Sequence, residues 1–447
     1  NTDIIIHDEI GEYGNIYAGD SLNNMGDTYK FSISPGSRLG KIEFQLNISG
    51  TSNDNSYHQT IDYNNLSVSL NQSGFPISTS EIKASPLVID LDGDGSKEII
   101  FGDNSGFIHI YNTDGTEVDD DTFPYDTGNQ IWGSAAAADL DNDGNLDFVI
   151  TSKSKHLYIF DKNGLKTDYN ANKYLMGTPA IGNLDDDDDL EIVIGGYSSS
   201  NQIFAVNPDG SDVDGFPLAL GEKTKAGVAL ADFNGNGKDD IVCGTDDDNI
   251  YLIYDDATIA PGFPYTVGDK IQADPSIQEI GGEKVIFSGS NDDSFYAIKS
   301  DGTLLFSVLT GDKVLTSPSF LEEDGQLSIF FGSNDDMIYA VDGTGNSLPG
   351  WPIEVNGTIG GSVVFSDLDG DGQAEVLAST DMGEIVAFHL DGEPYPYFPI
   401  TNDFPFSGSP MTSDLDNDGD LEIVTGSGSN LFVIDIKESG SNSNYWS

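Results

Sequence analysis

An internal repeat constrains this chain more than any other feature of its sequence. The segment "ASPLVIDLDGDGSKEIIFG" at 84–102 returns five times with the same acidic core, and two weaker versions stand between the fourth and fifth full copies. The first acidic position of each unit, or its equivalent, falls at 90, 139, 183, 232, 279, 322, 367 and 414. Spacings of 43 to 49 residues are typical of architectures in which each repeat is one supersecondary unit.

Each unit reads as four short strands without helical periodicity. A small-residue strand enters the acidic loop, and a β-branched run such as "KEIIFG" leaves it. An alternating strand such as "GFIHIYNTDG" follows, and most units end on a Phe-Pro or Trp-Pro element. Four strands in about 46 residues is the size of one propeller blade. The sequence therefore predicts an all-β fold, an eight-bladed β-propeller, with seven blades and one stray unit as the alternative.

The ends of the repeat indicate how the ring closes. The last unit has no outer Phe-Pro strand, whereas an unpartnered copy stands ahead of the first unit, in "SGFPISTSEIKASP" at 73–86. We expect Phe75–Ser78 to supply the outer strand of the last blade, since a closed ring protects its strand edges. The propeller then covers 73–438, and 439–447 form a C-terminal tail. Residues 1–72 lack the repeat and are predicted to form a small, Ig-like β-sandwich.

The six full loops carry oxygen-donor side chains at positions 1, 3, 5 and 9. These residues are Asp90, Asp92, Asp94, Glu98, Asp139, Asp141, Asp143, Asp147, Asn183, Asp185, Asp187, Glu191, Asp232, Asn234, Asn236, Asp240, Asp367, Asp369, Asp371, Glu375, Asp414, Asp416, Asp418 and Glu422. Calcium takes about six to eight oxygen ligands, including backbone carbonyls. The carbonyl at position 7 is expected as a further ligand, from Ser96, Asn145, Asp189, Lys238, Gln373 and Asp420.

A hairpin rich in Asp and Gly for reasons of turn geometry is the competing interpretation of these loops. It accounts for one loop but poorly for six in the same register. The two weaker units, at 274–289 and 317–332, are shorter and lose the carboxylates together with the extra length. We therefore predict about six structural Ca²⁺ sites, of which the Asn-rich loop Asp232–Asp240 is the weakest.

The repeated D-x-D-x-D-G-x-x-[DE] pattern resembles the FG-GAP or VCBS-type repeat, the family whose propellers include the head of integrin α subunits. The resemblance covers 73–438 and departs from the pattern at Asp188, which replaces the usual loop glycine, and in the two units without the acidic ladder. It implies that each loop joins the first two strands of a blade and that its calcium is structural. Large secreted bacterial proteins of several domains are the source that we expect.

Charge limits the classes of partner. The chain has 76 acidic and 18 basic residues, a formal net charge of −58, and Arg38 as its one arginine. Such a field repels nucleic acid, anionic lipid and acidic polysaccharide, and suits a protein adapted to salty, marine water. Its one cysteine, Cys243, rules out an intrachain disulfide, and no apolar run reaches the length of a membrane span. We expect a monomeric module of a longer chain, located outside the cell, where calcium is abundant.

No catalytic signature is evident in the sequence. Six equivalent carboxylate sets differ from the single asymmetric constellation of an active site, and the five histidines have no triad or metal-ligand spacing. We therefore expect a non-catalytic binding or adhesion module that recognises a glycan or a protein. A secreted polysaccharide lyase or hydrolase, and an accessory or spacer domain of a secreted protease, are the alternatives.

Ligand binding is expected on the face opposite the acidic loops. There, the residue that follows the apolar position at the entry of each first strand differs from unit to unit, and a varied ring of side chains can form an asymmetric site. The candidates for ligand contact are Lys83, Trp132, Met176, Lys225 and Gln272. Trp132 is the aromatic among them, suited to stacking on a sugar or to packing at the channel mouth.

Overall fold

The structure, a computed structural model, describes residues 4–8, 30–33, 40–52, 55–68, 71–118, 122–198, 202–323 and 325–442. The chain divides into two units, Asn1–Leu70 and Asn71–Ser447. In the first unit, two antiparallel pairs form separate two-stranded sheets. They are β1 (Ile4–Asp8) with β2 (Lys30–Ile33), and β3 (Gly40–Ser52) with β4 (Asn55–Val68). The β-sandwich expected for 1–72 stays a prediction, because much of that segment lies outside the described residues.

The second unit consists of eight antiparallel sheets, each with four consecutive strands except where the ring closes. The first four blades are β6 (Leu87–Ile89), β7 (Glu98–Gly102), β8 (Phe107–Asn112), β9 (Tyr125–Asp126); β10 (Ala136–Ala138), β11 (Asp147–Thr151), β12 (His156–Asp161), β13 (Gly164–Asn170); β15 (Ala180–Gly182), β16 (Glu191–Tyr197), β17 (Gln202–Val206), β18 (Leu218–Ala219); and β19 (Val228–Ala231), β20 (Asp240–Gly244), β21 (Asn249–Ile253), β22 (Tyr265–Thr266). A short extra strand, β14 (Tyr174–Leu175), pairs with β16.

Blades 5 to 8 repeat this plan. They are β23 (Ser276–Ile280), β24 (Glu283–Gly289), β25 (Ser294–Lys299), β26 (Leu304–Leu309); β27 (Ser319–Glu323), β28 (Gln326–Gly332), β29 (Met337–Asp342), β30 (Ile353–Glu354); β31 (Val364–Ser366), β32 (Glu375–Ser379), β33 (Glu384–His389), β34 (Ile400–Thr401); and β35 (Met411–Ser413), β36 (Asp420–Gly426), β37 (Asn430–Ser439), β5 (Ile77–Ser78). The eight-bladed β-propeller predicted from the repeat is confirmed, and the seven-bladed alternative is wrong.

The first strands of neighbouring blades contact one another and so lie innermost. The second strands are buried along nearly their whole length, as in the "EIIFG" of β7 and the "DIVCG" of β20. Strands covered on both faces read as continuous apolar runs, and here neighbouring blades provide that cover. One hydrophobic cluster joins Ile100 and Ile108 of blade 1 to Phe148 and Phe160 of blade 2. The core therefore lies between blades.

The join between the last and first blades uses both ends of the unit. Ile77 and Ser78 of β5 pair with Leu431 and Asn430 of β37, so the segment ahead of the first blade forms the outer strand of the eighth. Beyond β37, the backbone of Ser441 exchanges two hydrogen bonds with Asp367 of blade 7, at 2.7 and 3.0 Å. Residues up to 442 therefore contact the ring rather than leave it at 438.

In six of the eight blades, a glycine lies at or near the end of the second strand and packs against the branched or hydroxylated residue that precedes the next first strand. These pairs are Gly102 with Ile131, Gly195 with Thr224, Gly244 with Ile271, Gly289 with Val314, Gly332 with Ile359, and Gly426 with Ile82. A Cβ on any of these glycines would lie 2.5 Å or less from its partner's side chain or backbone. The glycines are thus required by the close approach of adjacent blades.

Candidate metal centres

The acidic loops connect the first two strands in six blades and share one end of the ring, as the antiparallel order requires. In the first loop, Asp90 accepts backbone hydrogen bonds from Gly93 (2.8 Å), Asp94 (3.1 Å) and Gly95 (3.0 Å). Gly93 and Gly95 have φ of 78° and 93°, a backbone region that glycine adopts without steric cost. The loop therefore curls around its own carboxylates.

Carboxylates within single loops lie close together in five of the six loops. The groups with ligand oxygens within 4.8 Å of one another are Asp90, Asp92 and Glu98; Asp139, Asp141 and Asp143; Asp185, Asp187 and Glu191; Asp367, Asp369 and Asp371; and Asp416, Asp418, Asp420 and Glu422. Among the predicted acidic ligands, several stand outside these groups: Asp94, Asp147, Asp232, Asp240, Glu375 and Asp414.

The residues at position 7 were expected to contribute carbonyl oxygens. Their backbone N–H groups donate to the side chain at position 5, at 2.7 to 3.2 Å, in Ser96, Asn145, Asp189, Lys238, Gln373 and Asp420. In the last loop the carboxylate of Asp420 itself joins the cluster. This side chain is a candidate ligand that the repeat pattern did not predict, whereas ligation by the carbonyls stays a prediction.

The carboxylate at position 9 is the most buried of the acidic side chains in each loop. In four loops it is a glutamate, and one of its oxygens accepts a hydrogen bond from the backbone N–H of position 2. The donors and distances are Leu91 to Glu98 (2.8 Å), Leu184 to Glu191 (2.5 Å), Leu368 to Glu375 (2.7 Å) and Leu415 to Glu422 (2.6 Å). This bond fixes the carboxylate and leaves its second oxygen for another partner.

Glu191 and Glu422 indicate which kind of partner suits this second carboxylate oxygen. Each side chain is fully buried, and the Oε1 atom of each accepts no hydrogen bond within the described part of the chain. Burial and the neighbouring aspartates raise the pKa of both carboxyls to about 7, against the bond from the backbone. A buried carboxylate without a partner is unfavourable, so a bound cation fits these two loops well.

Blade 2 supplies its own cation. The ammonium of Lys166, on the outer strand β13, donates to Asp141 at 2.8 Å and to the two oxygens of Asp147 at 2.9 and 3.1 Å. Burial lowers the pKa of Lys166, but these two carboxylates outweigh that effect and raise it. The closing carboxylate of this predicted calcium site is therefore already paired, and a metal ion would have to displace Lys166.

Replacing this lysine should change how the protein responds to calcium. In a chelator, we expect Lys166→Met to reduce the free energy of unfolding by about 1–3 kcal/mol, because Asp147 becomes a buried, unpaired charge. The melting temperature should fall accordingly. In calcium the variant should melt near or above the parent, since the freed loop can bind the ion. Calorimetry in both conditions tests this, with Lys162→Met as control. An equal loss in both conditions would show that Lys166 only packs.

Two further loops satisfy position 9 internally. In blade 4, the Asn234 amide donates to Asp240 at 3.2 Å, and the Asn236 amide donates to Asp255 at 2.9 Å. In blade 7, Nδ1 of His389 lies 3.2 Å from Oε1 of Glu375. These contacts reduce the need for an ion, and they agree with the expectation that the Asn-rich loop is the weakest site.

The opposite face carries the residues expected to contact a ligand. Trp132 Nε1 donates to Asn104 at 3.3 Å, Lys83 pairs with Glu81 at 3.1 Å, and Gln272 donates to Asp246 at 2.7 Å. Met176 and Lys225 are half-buried in the corresponding places of blades 3 and 4. All five therefore lie where the blade topology predicts, around the entry to the first strands.

His109 forms the best-connected histidine cluster, on the third strand of blade 1. It contacts Glu117 at 2.7 Å and Asp103 at 3.5 Å and stacks on Phe101. Burial lowers the pKa of His109, but the two carboxylates outweigh it and raise the pKa. Burial raises the pKa of Asp103, and bonds from His109 and the backbone reverse this and lower it. The cluster is an ion pair within a blade when His109 is protonated.

The stability from this cluster should depend on pH in a defined direction. Stability from a raised histidine pKa is present below about pH 6.5 and is lost as pH rises through the folded pKa. Stability from the lowered Asp103 pKa is lost as pH falls below about 4. We expect His109→Gln to cost more at pH 5.5 than at pH 8.5, by about 1 kcal/mol, measured by urea unfolding. A cost that is independent of pH would contradict the charged pair.

Fold and loops together define the class of this protein. Residues 90–150 match the family model of the FG-GAP-like repeat, a stretch that runs from the first acidic loop to the strand after the second. With eight blades of antiparallel strands, the protein is a β-propeller that carries an FG-GAP-like repeat at 90–150. The described residues include no helix long and apolar enough to cross a membrane.

Solved structures agree with this class at the level of the fold. The chain is similar to Sqt1 from Saccharomyces cerevisiae, with a TM-score of 0.59 and 12% identity over 82% of this chain and 99% of that one. It is also similar to quinohemoprotein alcohol dehydrogenase from Comamonas testosteroni, with a TM-score of 0.57 and 11% identity over 83% of this chain and 76% of that one. No curated protein matches the sequence. Likeness at such identities concerns the fold alone.

Proposed function

We propose that this chain is a non-catalytic binding module, held together by calcium at one end of the ring and recognising a glycan or protein at the other. One observation carries the proposal: the two ends are built differently. At the loop end, six blades use the same oxygen-donor pattern. At the opposite end, eight equivalent positions carry seven solvent-accessible side chains of mixed chemistry and one glycine: Lys83, Trp132, Met176, Lys225, Gln272, Leu315, Gly360 and Ser407.

Calcium is the cation that best suits the loops. Hard oxygen donors in numbers, on flexible glycine-containing loops, match its coordination better than that of Mg²⁺, which requires near-ideal octahedral geometry. Carboxylates held by an ion are also unavailable for acid–base chemistry. Sites of modest affinity stay filled at millimolar calcium, which supports a location outside the cell in a secreted protein of several domains.

Binding is favoured over catalysis by where the titratable side chains are. His109 and its two carboxylates are largely buried within blade 1, where a substrate cannot reach them. His156 and Asp168 form a partly exposed pair between the two outer strands of blade 2, and these two side chains contact each other. A lyase or hydrolase would need an acid and a base on an accessible surface.

An array of neutral and acidic oligosaccharides tests the proposal, with the calcium-loaded chain as probe and cleavage products assayed in parallel. We expect binding without turnover, and loss of binding on Trp132→Ala with an unchanged melting temperature. Turnover would favour the lyase or hydrolase. An array without any binding would leave the accessory or spacer domain as the better assignment.

A further inference from the structure

Lysines at the loop end of the ring are bound to oxygens of the acidic loops or their neighbours. Lys97 donates to the Asp414 carbonyl at 3.4 Å and Lys284 to the Asp232 carbonyl at 2.6 Å. Lys238 pairs with Asp186 at 3.0 Å, and Lys166 occupies the blade-2 loop. These ammonium groups are internal counterions. In a chain with so few basic residues, this is the use that one expects for lysine.

At the opposite end, Lys83 pairs with Glu81 and Lys270 lies 3.9 Å from Asp246, but three other lysines lie over aromatic rings. Lys153 lies 4.0 Å from the ring centre of Trp132, Lys155 lies 5.7 Å from that of Tyr174, and Lys223 lies 5.3 Å from that of Tyr197. In the described part of the chain, none of these three ammonium groups is within 4 Å of a carboxylate oxygen. Each stands over an aromatic face, at a distance at which cation–π attraction operates.

These three pairs are contiguous. Lys153 and Lys155 share the short loop between β11 and β12, and Tyr174 is the strand partner of Tyr197. We name the set the lysine–aromatic arc: Trp132, Lys153, Lys155, Tyr174, Tyr197 and Lys223. It crosses from the entry of blade 2 to the entry of blade 4. Tyr174 is 43% exposed, so one ring at least offers a face to a ligand.

We propose that the arc binds a carboxylated glycan, a polymer of uronic acids; this inference rests on the proposed binding function. Each pair in the arc offers one aromatic ring and one ammonium. A uronic acid residue offers one C–H face, which stacks on an aromatic ring, and one carboxylate, which accepts hydrogen bonds from an ammonium. An acidic peptide offers carboxylates to the ammonium groups but no flat C–H face to the rings. It would therefore contact only the lysines of the arc.

The proposal revises the expectation that the net charge of −58 excludes acidic polysaccharides. That expectation concerns the field at long range, which salt screens beyond about 8 Å at 0.15 M but only beyond about 30 Å at 0.01 M. Contacts to the arc are shorter than either length. Binding should therefore strengthen from 0.01 to 0.15 M salt, where repulsion is screened, and weaken again near 1 M.

Tetragalacturonate and its methyl ester test the inference, because they share a skeleton and differ in charge. With the calcium-saturated chain in a calorimeter, we expect the free acid to bind at least about tenfold more tightly than the ester. Lys153→Gln and Lys223→Gln should each weaken the acid about tenfold and leave the ester unaffected. Lys313→Gln, on the same face in blade 6, is the matched control and should change neither.

The outcomes distinguish a failure of uronate recognition from a failure of the proposed binding function. If acid and ester bind equally, carboxylate recognition is wrong and the binding module stands. If a glutamate tetrapeptide or oligothymidylate binds more tightly than the uronate, the glycan assignment is wrong. Absence of binding by both galacturonides overturns the inference, and the oligosaccharide array then decides the function. An affinity for tetragalacturonate that falls steadily as salt rises from 0.01 M would also contradict uronate binding by the arc.

Discussion

Removal of calcium with a chelator is expected to lower the melting temperature of this protein by about 6 °C, reversibly. Glu191 and Glu422 carry buried oxygens without a hydrogen-bond partner in the described part of the chain, and a cation at these places keeps both carboxylates ionised and offsets their desolvation. A ligand that is present at a hundred times its dissociation constant adds about 2.7 kcal/mol per site. Two such sites give about 5 kcal/mol, hence the shift in a large domain.

Isosteric variants connect this result to the two loops. Glu422→Gln keeps an oxygen for the N–H of Leu415 but loses the charge, so we expect it to reduce the calcium response and to melt higher than the parent in chelator. Glu375→Gln is the comparison, since Oε1 of that glutamate already contacts His389. Differential scanning calorimetry with calcium, magnesium and chelator measures all of these. A melting curve that chelation leaves unchanged would refute structural calcium.

Blade number and ring closure were predictable because they depend on local pattern repeated eight times. The spare Phe-Pro strand at 75–78 matched the missing outer strand of the last unit, and β5 pairs with β37. A complete propeller leaves only short outer edges, so a spare outer strand at one end of the repeat and a missing one at the other end predict that the two pair. The same reasoning says nothing of residues 1–72, which repeat nothing.

The loops were less predictable, because their chemistry depends on side chains that arrive from elsewhere. Blade 2 lacks the Phe-Pro element and instead continues directly into a seven-residue outer strand. Its Lys166 reaches Asp147, 19 positions earlier in the sequence. His389 reaches Glu375 in the same way. The available signal was the departure of blade 2 from the repeat, which marks where a loop can acquire a different partner.

The opposite face shows a related limit. Trp132 and Lys83 were predicted individually, each from its own position in the varied ring of side chains. Both lie on the face opposite the acidic loops. The lysine–aromatic arc lies partly on a second set of loops, between the second and third strands. Its members come together only when adjacent blades pack. A sequence with 18 basic residues still offers a clue, since several of those residues fall in these loops, away from the carboxylate pattern.

Substitution of Gly426 by valine is expected to destabilise the ring at the join between the last blade and the first. A Cβ on this glycine would lie 2.5 Å from Cβ and Cγ2 of Ile82, which is itself fully buried. Neither side can retreat, because Ile82 packs with Val424 and Leu431 where the last blade meets the first. Overpacking of this kind costs about 1–3 kcal/mol, and here it falls on the join that closes the ring.

Two further variants make the result specific to that join. Gly428→Ala adds a Cβ that would meet Phe404 at 3.7 Å, an ordinary contact, and should be neutral. Gly244→Val creates the same clash with Ile271 inside the ring, and should lower stability without opening the join. Guanidinium unfolding gives the free energies, and limited proteolysis followed by mass spectrometry locates the first cut. Cleavage near 71–82 in Gly426→Val but not in Gly244→Val is expected, because only the first variant loosens the strand that the N-terminal segment contributes. Equal stability of Gly426→Val and Gly428→Ala would refute the steric account of closure.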